Sequence, residues 1–154
     1  MKSAERRPDI DIEEEIEQLT RSFAPLKASR GYFTARSQNG RVKVVGNIRN
    51  PQARRVLMDN IPQIRGVVEC DGSELYDDEM IRFAVGQLLP PGVSASVHYG
   101  AVALTGHLPD GASAQEITTA IAAVKGVRRV ANDFGTGAED IPLKPMPTEI
   151  EPPK

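Results

Sequence analysis

The chain has 154 residues, 40% of them hydrophobic and 26% charged, with a formal net charge of -2 at pH 7. This composition supports one modest core or two small ones and excludes a chain that is disordered throughout. No apolar run approaches the roughly 18 residues of a membrane-spanning helix, and the first residues hold no signal-like apolar stretch. We therefore predict a cytoplasmic protein, either free or peripheral at the inner face of the membrane.

The first predicted element follows an N-terminal tail over residues 1–8 and is an amphipathic helix. Its apolar residues recur at the three- and four-residue spacing of one helical face. Asp11 and Glu14 are spaced as a capping-box pair that satisfies free N–H groups at the helix start. The apolar positions are Ile12, Ile16, Leu19 and Phe23.

Two strands and a tight turn come next. The segments YFTARSQ and RVKVVGNI alternate apolar and polar residues, which is typical of half-buried strands. Asn39 and Gly40 between them suit a two-residue hairpin turn, in which both central residues take positive φ. The residues predicted to share the buried face are Phe33, Ala35, Val42 and Val44.

A second helix and a closing strand complete a first module, residues 9–72. Asn50 and Pro51 suit the N-cap and the first helical position, and Gly66 suits a left-handed C-cap. A short strand ending at Cys70 closes the module, and this cysteine is predicted to be a small apolar core residue. The helix residues predicted to face the core are Leu57, Ile61 and Ile64.

The chain then repeats itself with an offset of 60 residues, since NGRVKVVGNI at 39–48 aligns with YGAVALTGHL at 99–108. Internal similarity of this kind predicts a duplicated structural unit, here a second module over residues 73–135. Gly46 and Gly106 are predicted to lie under the helices, where a side chain would hold the layers apart. The matched glycines are Gly40, Gly46 and Gly66 with Gly100, Gly106 and Gly126.

The second module has the same predicted order of elements. A helix at about 75–89 precedes a hairpin that turns at Tyr99-Gly100, and Ser113 opens a second helix with Glu116 three residues on. The segment VRRVANDF is its last strand. The residues predicted to share the buried hairpin face are Val93, Ala95, Val102 and Leu104.

Residues 136–154 break the pattern. Five prolines in TGAEDIPLKPMPTEIEPPK exclude a helix or a central strand. We predict a proline-rich extended tail, either solvated or laid along another surface.

Seven positions of the second module fit a V-x-L-x-G strand, a helix and a following G-V-x-x-V-x-N strand. They are Val102, Leu104, Gly106, Gly126, Val127, Val130 and Asn132. This pattern resembles the BON domain, a small module of bacterial osmotic-stress, secretin-related and membrane-associated proteins. The first module is similar but departs at Asp71-Gly72, where valine and asparagine are usual in the family.

The resemblance to a tandem BON-domain protein implies an α+β fold of two αββαβ modules, each a three-stranded mixed sheet with two helices on one face. It implies no enzymatic activity and no cofactor. Family members are linked to phospholipid surfaces, to oligomeric assemblies and, in one cytoplasmic case, to potassium. The chain has no LysM-like segment, so its similarity to that potassium-binding protein is partial.

The residues themselves predict neither catalysis nor a metal site. The only two histidines, His98 and His107, would lie roughly 20 Å apart along the hairpin and could not share a metal. A second cysteine for thiolate ligation is lacking, and no glycine-rich phosphate loop occurs. The net charge and the lack of an aromatic ladder beside the arginines argue against nucleic acid.

The best functional candidate is a basic strip in the first module, because nine basic residues and one acidic residue lie between Lys27 and Arg65. Arg36 would stand opposite Lys43, and opposed like charges are mildly destabilising unless an anionic group compensates. That group is phospholipid, nucleic acid, an acidic partner or the chain's own acids. The strip comprises Arg36, Arg41, Lys43, Arg54 and Arg55.

The same sheet face of the second module carries small side chains instead. A flat surface of this kind suits close packing against a protein, although plain sequence variation explains it equally simply. Its residues are Ser94, Ser96, Ala101, Ala103 and Thr105.

We therefore expect a non-catalytic binding or assembly protein that docks to an anionic membrane surface or a protein complex. A protein partner or a homo-oligomer is expected, with anionic phospholipid as a further partner. The alternatives are a cytoplasmic potassium-binding stress protein and a purely structural subunit of a larger assembly.

Overall fold

The computed structural model describes residues 7–135, so the predicted proline-rich tail and most of the predicted N-terminal tail lie outside the described residues. The chain divides into two compact units, and the division falls between Glu79 and Met80 in the sequence. First and second module refer below to these two units. Each contains one three-stranded sheet, with strand orders β1-β2-β3 and β4-β5-β6.

The first module contains two helices before its hairpin and one after it. Its elements are α1 (Asp9–Ser22), α2 (Ala24–Ala28), β1 (Phe33–Gln38), β2 (Arg41–Ile48), α3 (Pro51–Asn60), a 3-10 turn (Ile61–Gln63) and β3 (Glu69–Asp77). The second module starts with α4 (Asp78–Gly86), which crosses the boundary, and continues with β4 (Val93–His98), β5 (Ala101–His107), α5 (Ala114–Ala122) and β6 (Arg129–Gly135).

The two hairpins turn as the sequence predicts. Asn39 and Tyr99 have φ of 56° and 50°, and the glycine after each also has positive φ. In both modules the middle strand pairs antiparallel with the strand before it and parallel with the last strand. The sheets are therefore mixed, and the predicted α+β class with two αββαβ modules is confirmed.

The core of the first module lies between its sheet and its helices. Most of the apolar residues that were predicted to face inward are buried there, namely Ile12, Ile16, Val42, Val44, Leu57, Ile61 and Ile64. The others are partly buried against them, namely Leu19, Phe23, Phe33 and Ala35. Asn50 caps α3, because its Oδ1 accepts a hydrogen bond from the Ala53 N–H at 2.8 Å. The fully buried side chains of this core include Ile12, Leu26, Ile48, Leu57, Ile61 and Leu75.

The predicted capping box at Asp11 and Glu14 is wrong. Helix α1 begins at Asp9 after Pro8, and no side chain caps it. The carboxylate of Asp9 contacts the hairpin instead: it accepts hydrogen bonds from the Ser37 hydroxyl at 2.7 Å and from the Gly40 N–H at 3.0 Å. It also accepts one from the Asn39 N–H at 2.8 Å. The first turn of α1 is thus attached to the β1–β2 turn.

The helix predicted from about residue 75 begins only at Asp78, because β3 runs without interruption to Asp77. The strand continues through residues 72 and 73, where the sequence places the boundary between the modules. The pairing of β2 with β3 shifts register between Lys43 and Val45, which marks a bulge. Parallel pairing over this length makes β3 a strand in place of the predicted helix start.

The nearest obstacle to a side chain at Gly46 or Gly106 is the neighbouring strand, in place of the helices that the sequence pattern predicts. A Cβ at Gly46 would collide with the backbone of Tyr32 and Phe33, and a Cβ at Gly106 with the backbone at Gly92. The backbone at the start of the neighbouring strand therefore requires these glycines. Their φ values of 136° and 115° add a second reason, since other residues rarely adopt them.

Candidate functional site

The outer face of the first sheet, opposite the helices, carries two columns of charge. Arg36 lies opposite Lys43 in the register, as predicted. On its other side Lys43 is paired with Asp71, and Arg41 is paired with Glu69. A basic column on β1 and β2 therefore lies beside an acidic column on β3. We call this surface the striped face; its charged residues are Arg36, Arg41, Lys43, Glu69, Asp71 and Glu74.

The chain's own acids balance part of the basic column. Lys43 Nζ lies 3.6 Å from Glu74 Oε2, and both side chains are about half exposed, so this ion pair contributes less than about 1 kcal/mol. Hydrogen bonds from Ser73, and more weakly the charge of Lys43, lower the pKa of Asp71 below its ordinary value. Arg36 and Arg41 are exposed, and neither has an ion pair within residues 7–135.

The other two residues of the predicted basic strip lie elsewhere. Arg54 is on α3, on the core side of the sheet, and its guanidinium donates to the carbonyl oxygens of Leu75 at 3.0 Å and Gly72 at 2.8 Å. It therefore joins α3 to the bulged part of β3. Arg55 is exposed on the same helix. The structure brings together three of the five predicted residues, and Arg54 has a structural partner.

The sequence did not reveal the acidic column, because the predicted strand ends at Cys70 and the next predicted helix begins at about residue 75. Alternation was the available signal, since Glu69 and Asp71 flank the partly buried Cys70, and Glu74 and Tyr76 flank the buried Leu75. The bulge after Asp71 interrupts that alternation before Glu74, which hid the strand.

The outer face of the second sheet carries the small side chains at the predicted positions. Ser94 pairs with Thr105 and Ser96 with Ala103 across the hairpin. On the β6 side Ala103 pairs with Ala131. The middle row of this face thus consists of a serine and two alanines. We call it the small-residue face; its predicted members are Ser94, Ser96, Ala101, Ala103 and Thr105.

The groups that could carry chemistry are dispersed. In the part of the chain that the structure describes, no cluster of three or more His, Cys, Asp or Glu residues could hold a metal ion. His98 and His107 lie at opposite ends of the second hairpin. Burial, and to a lesser extent the neighbouring Asp71, raise the pKa of the Cys70 thiol, so it stays protonated and weakly nucleophilic.

Within residues 7–135, none of the helices has the length and apolar character that a membrane crossing requires.

A comparison with protein-family models finds one match, which falls in the second half of the chain. Residues 77–137 match the family model of the BON domain. The matched residues cover most of the second module, where the sequence pattern predicts a BON domain, and the match does not extend to the first module. No curated protein matches the chain.

Several solved structures resemble the fold, among them two of one protein. One is described as CdsD, the structural protein of the Type III secretion system of Chlamydia trachomatis, C-terminal domain; it has 17% sequence identity and a TM-score of 0.69 and covers 83% of this chain. A second CdsD structure has 16% identity and a TM-score of 0.64 and covers 80% of this chain. The chain spans 66% and 61% of the length of those chains. At 17% and 16% identity, this likeness concerns the fold alone.

Proposed function

We propose that the chain is a non-catalytic assembly protein whose two outer sheet faces bind protein partners. The observation that supports this proposal is the contrast between these two faces. The striped face presents exposed charges of both signs, and the small-residue face presents side chains short enough for a partner to approach the backbone closely.

The charge pattern of the striped face favours a protein partner over an anionic membrane. Three basic and three acidic residues occupy adjacent strands, which are about 5 Å apart in a sheet. Because the Debye length is about 8 Å at physiological ionic strength, the fields of the two columns largely cancel before they reach a distant surface. A protein in direct contact can match each column separately, so the pattern gives specificity at short range.

We also propose that the first module is a diverged second copy of the BON module. Its strand order, its two-residue turn and the backbone contact that requires Gly46 recur in the second module. Its departures at Asp71-Gly72 coincide with the bulge of β3, so the unusual residues and the unusual geometry occur together. The likeness to CdsD over 83% of the chain supports a structural role for two such modules in a larger assembly.

The test is a charge reversal on the striped face. The triple variant Arg36→Glu, Arg41→Glu and Lys43→Glu is expected to lose its association with the native complex. Co-purification of the tagged chain from its own cells and size-exclusion chromatography measure this association. Arg55→Glu is the matched control, because it reverses an exposed charge outside this face. Retention of the triple variant in the complex would remove the proposal.

Two further measurements separate the alternatives. Co-sedimentation of the wild-type chain with phosphatidylglycerol vesicles, lost in the triple variant, would favour a membrane-docking role. A rise in melting temperature in potassium that is missing in sodium would favour ion binding. Neither result is expected for a protein-binding face.

A further inference from the structure

A groove of about 270 Å³ runs along the free edge of β1 in the first module. Helix α1 forms one wall and β1 forms the other. The groove lies at the side of the sheet and is distinct from the striped face, although Arg36 borders both. The lining residues used below are Glu13, Ile16, Phe33, Ala35 and Arg36.

The backbone of β1 presents unused hydrogen-bonding groups to this groove. The Asn47 N–H donates to the Tyr32 carbonyl at 2.9 Å, which fixes the alternation of the hairpin ladder. Because alternate residues of an edge strand point their N–H and C=O groups to opposite sides, Phe33 and Ala35 direct theirs away from β2. Within the described ranges, no hydrogen bond takes up these groups of Phe33 and Ala35.

One end of this edge is already occupied. Ser37 is the next residue in the same alternation, and its N–H donates to Glu13 Oε2 at 2.8 Å. Helix α1 therefore satisfies the edge at Ser37 and leaves it open at Ala35 and Phe33. An unpaired edge is a template for another extended chain. The open part of the edge is two residues long and lies beside helix α1. It can therefore pair only with a short extended segment.

We propose that this groove binds an extended peptide segment of a partner protein, which adds to β1 as a fourth strand of the first sheet. The chemistry of the groove defines the peptide. Side chains on its inner side would meet Phe33, which is partly exposed, above the buried Ile16. The carboxylates of Glu13 and Glu17 also line the groove and disfavour acidic residues on that side. Those on its outer side would meet Arg36, which is exposed and without an ion pair among residues 7–135. The fitting segment alternates apolar and acidic residues.

The test uses the full ¹⁵N-labelled chain and the synthetic peptide acetyl-Val-Glu-Val-Glu-Val-Glu-amide. We expect amide chemical-shift changes concentrated at Phe33 to Ser37 and in the first turns of α1. Ala35→Pro removes one edge N–H that the β1–β2 ladder does not use, and proline is tolerated on edge strands. This variant is expected to bind the peptide at least about tenfold more weakly, the loss expected for a missing backbone hydrogen bond and a blocked strand edge.

Ala95→Pro is the matched control, because Ala95 is the residue of β4 that corresponds to Ala35 after 60 residues. It should bind the peptide as the wild type does. Arg36→Glu keeps the strand edge. It should weaken binding of the glutamate peptide and strengthen binding of acetyl-Val-Lys-Val-Lys-Val-Lys-amide. Thermal melts confirm that each variant is folded.

Equal binding by the wild type and Ala35→Pro, shift changes outside the groove, or no binding at millimolar peptide would each overturn the proposal. These outcomes leave the proposed outer-face function untouched, because the Ala35 side chain faces the core and its backbone faces the sheet edge. Loss of the native complex in the triple charge variant, with peptide binding retained by Arg41→Glu alone, would show that the two sites are separate.

Discussion

The two modules share a backbone plan and differ in the surface that each presents. After an offset of 60 residues, Arg36 corresponds to Ser96, Arg41 to Ala101 and Lys43 to Ala103. The same three places on the outer sheet face are thus basic in one module and small in the other. The turn geometry at Asn39 and Tyr99, by contrast, is nearly the same.

This difference separates what the fold requires from what it permits. Gly46 and Gly106 both meet the backbone of the preceding strand, so any side chain there would push the strands apart. The outer positions meet solvent, and the fold places little restriction on them. Modules that share a fold can therefore differ in these outer positions without a change of architecture.

The largest expected difference between the modules is in helix packing. Leu57 is fully buried, whereas Ile117, its counterpart 60 residues later, is only partly buried. Leu57→Ala should lower the free energy of unfolding by about 2–5 kcal/mol, and Ile117→Ala by about 1–2 kcal/mol because less apolar area is lost. Urea denaturation followed by circular dichroism measures both. Equal losses would show that the two helices are packed alike.

The second largest effect on stability is expected at Asp9. Its carboxylate accepts hydrogen bonds from Ser37, Asn39 and Gly40, so Asp9→Ala leaves two turn amides without their partner. We expect a loss of about 1–3 kcal/mol in the free energy of unfolding. Asp11→Ala is the control, since this exposed acid of the first helical turn should cost only about 0.3–1 kcal/mol. The same loss in both variants would mean that helix-dipole effects, and not the turn contacts, dominate.

A substitution at Arg54 tests how much this side chain stabilises the bulge that distinguishes β3 from β6. Its counterpart is Ala114, and the pairing of β5 with β6 shows no register shift. Arg54→Ala should cost about 1–2 kcal/mol, because the carbonyl groups of Gly72 and Leu75 lose their donor. Arg55→Ala should stay within about 0.5 kcal/mol of the wild type. Thermal unfolding and amide hydrogen exchange in β3 report the difference.

The smallest effect is expected on the striped face. A double-mutant cycle on Lys43 and Glu74 should give a coupling energy of about 0.2–1 kcal/mol, since both groups are about half exposed. The coupling should shrink at high salt. A coupling well above this range would indicate that the charges stabilise the module itself, and would weaken the case that they are kept for a partner.

Much of this architecture could be predicted from local sequence. Asn39-Gly40 and Tyr99-Gly100 specify hairpin turns through the positive φ that these turns require. Asn50 and Ser113 cap their helices as predicted, because a cap depends on residues three positions apart. The buried face of each hairpin follows from the two-residue period of a strand. These features are encoded within a few residues of one another.

The tertiary structure decided the features that join distant parts of the chain. Asp9 reaches a turn 30 residues away, and parallel pairing with β2 extends β3 into residues whose acids resemble a helix start. Arg54 belongs to α3 and not to the basic face, and the acids of β3 join that face only because the chain crosses over to pair beside β2. Local propensity carries no information about these contacts, since their free energy arises only when separate elements meet.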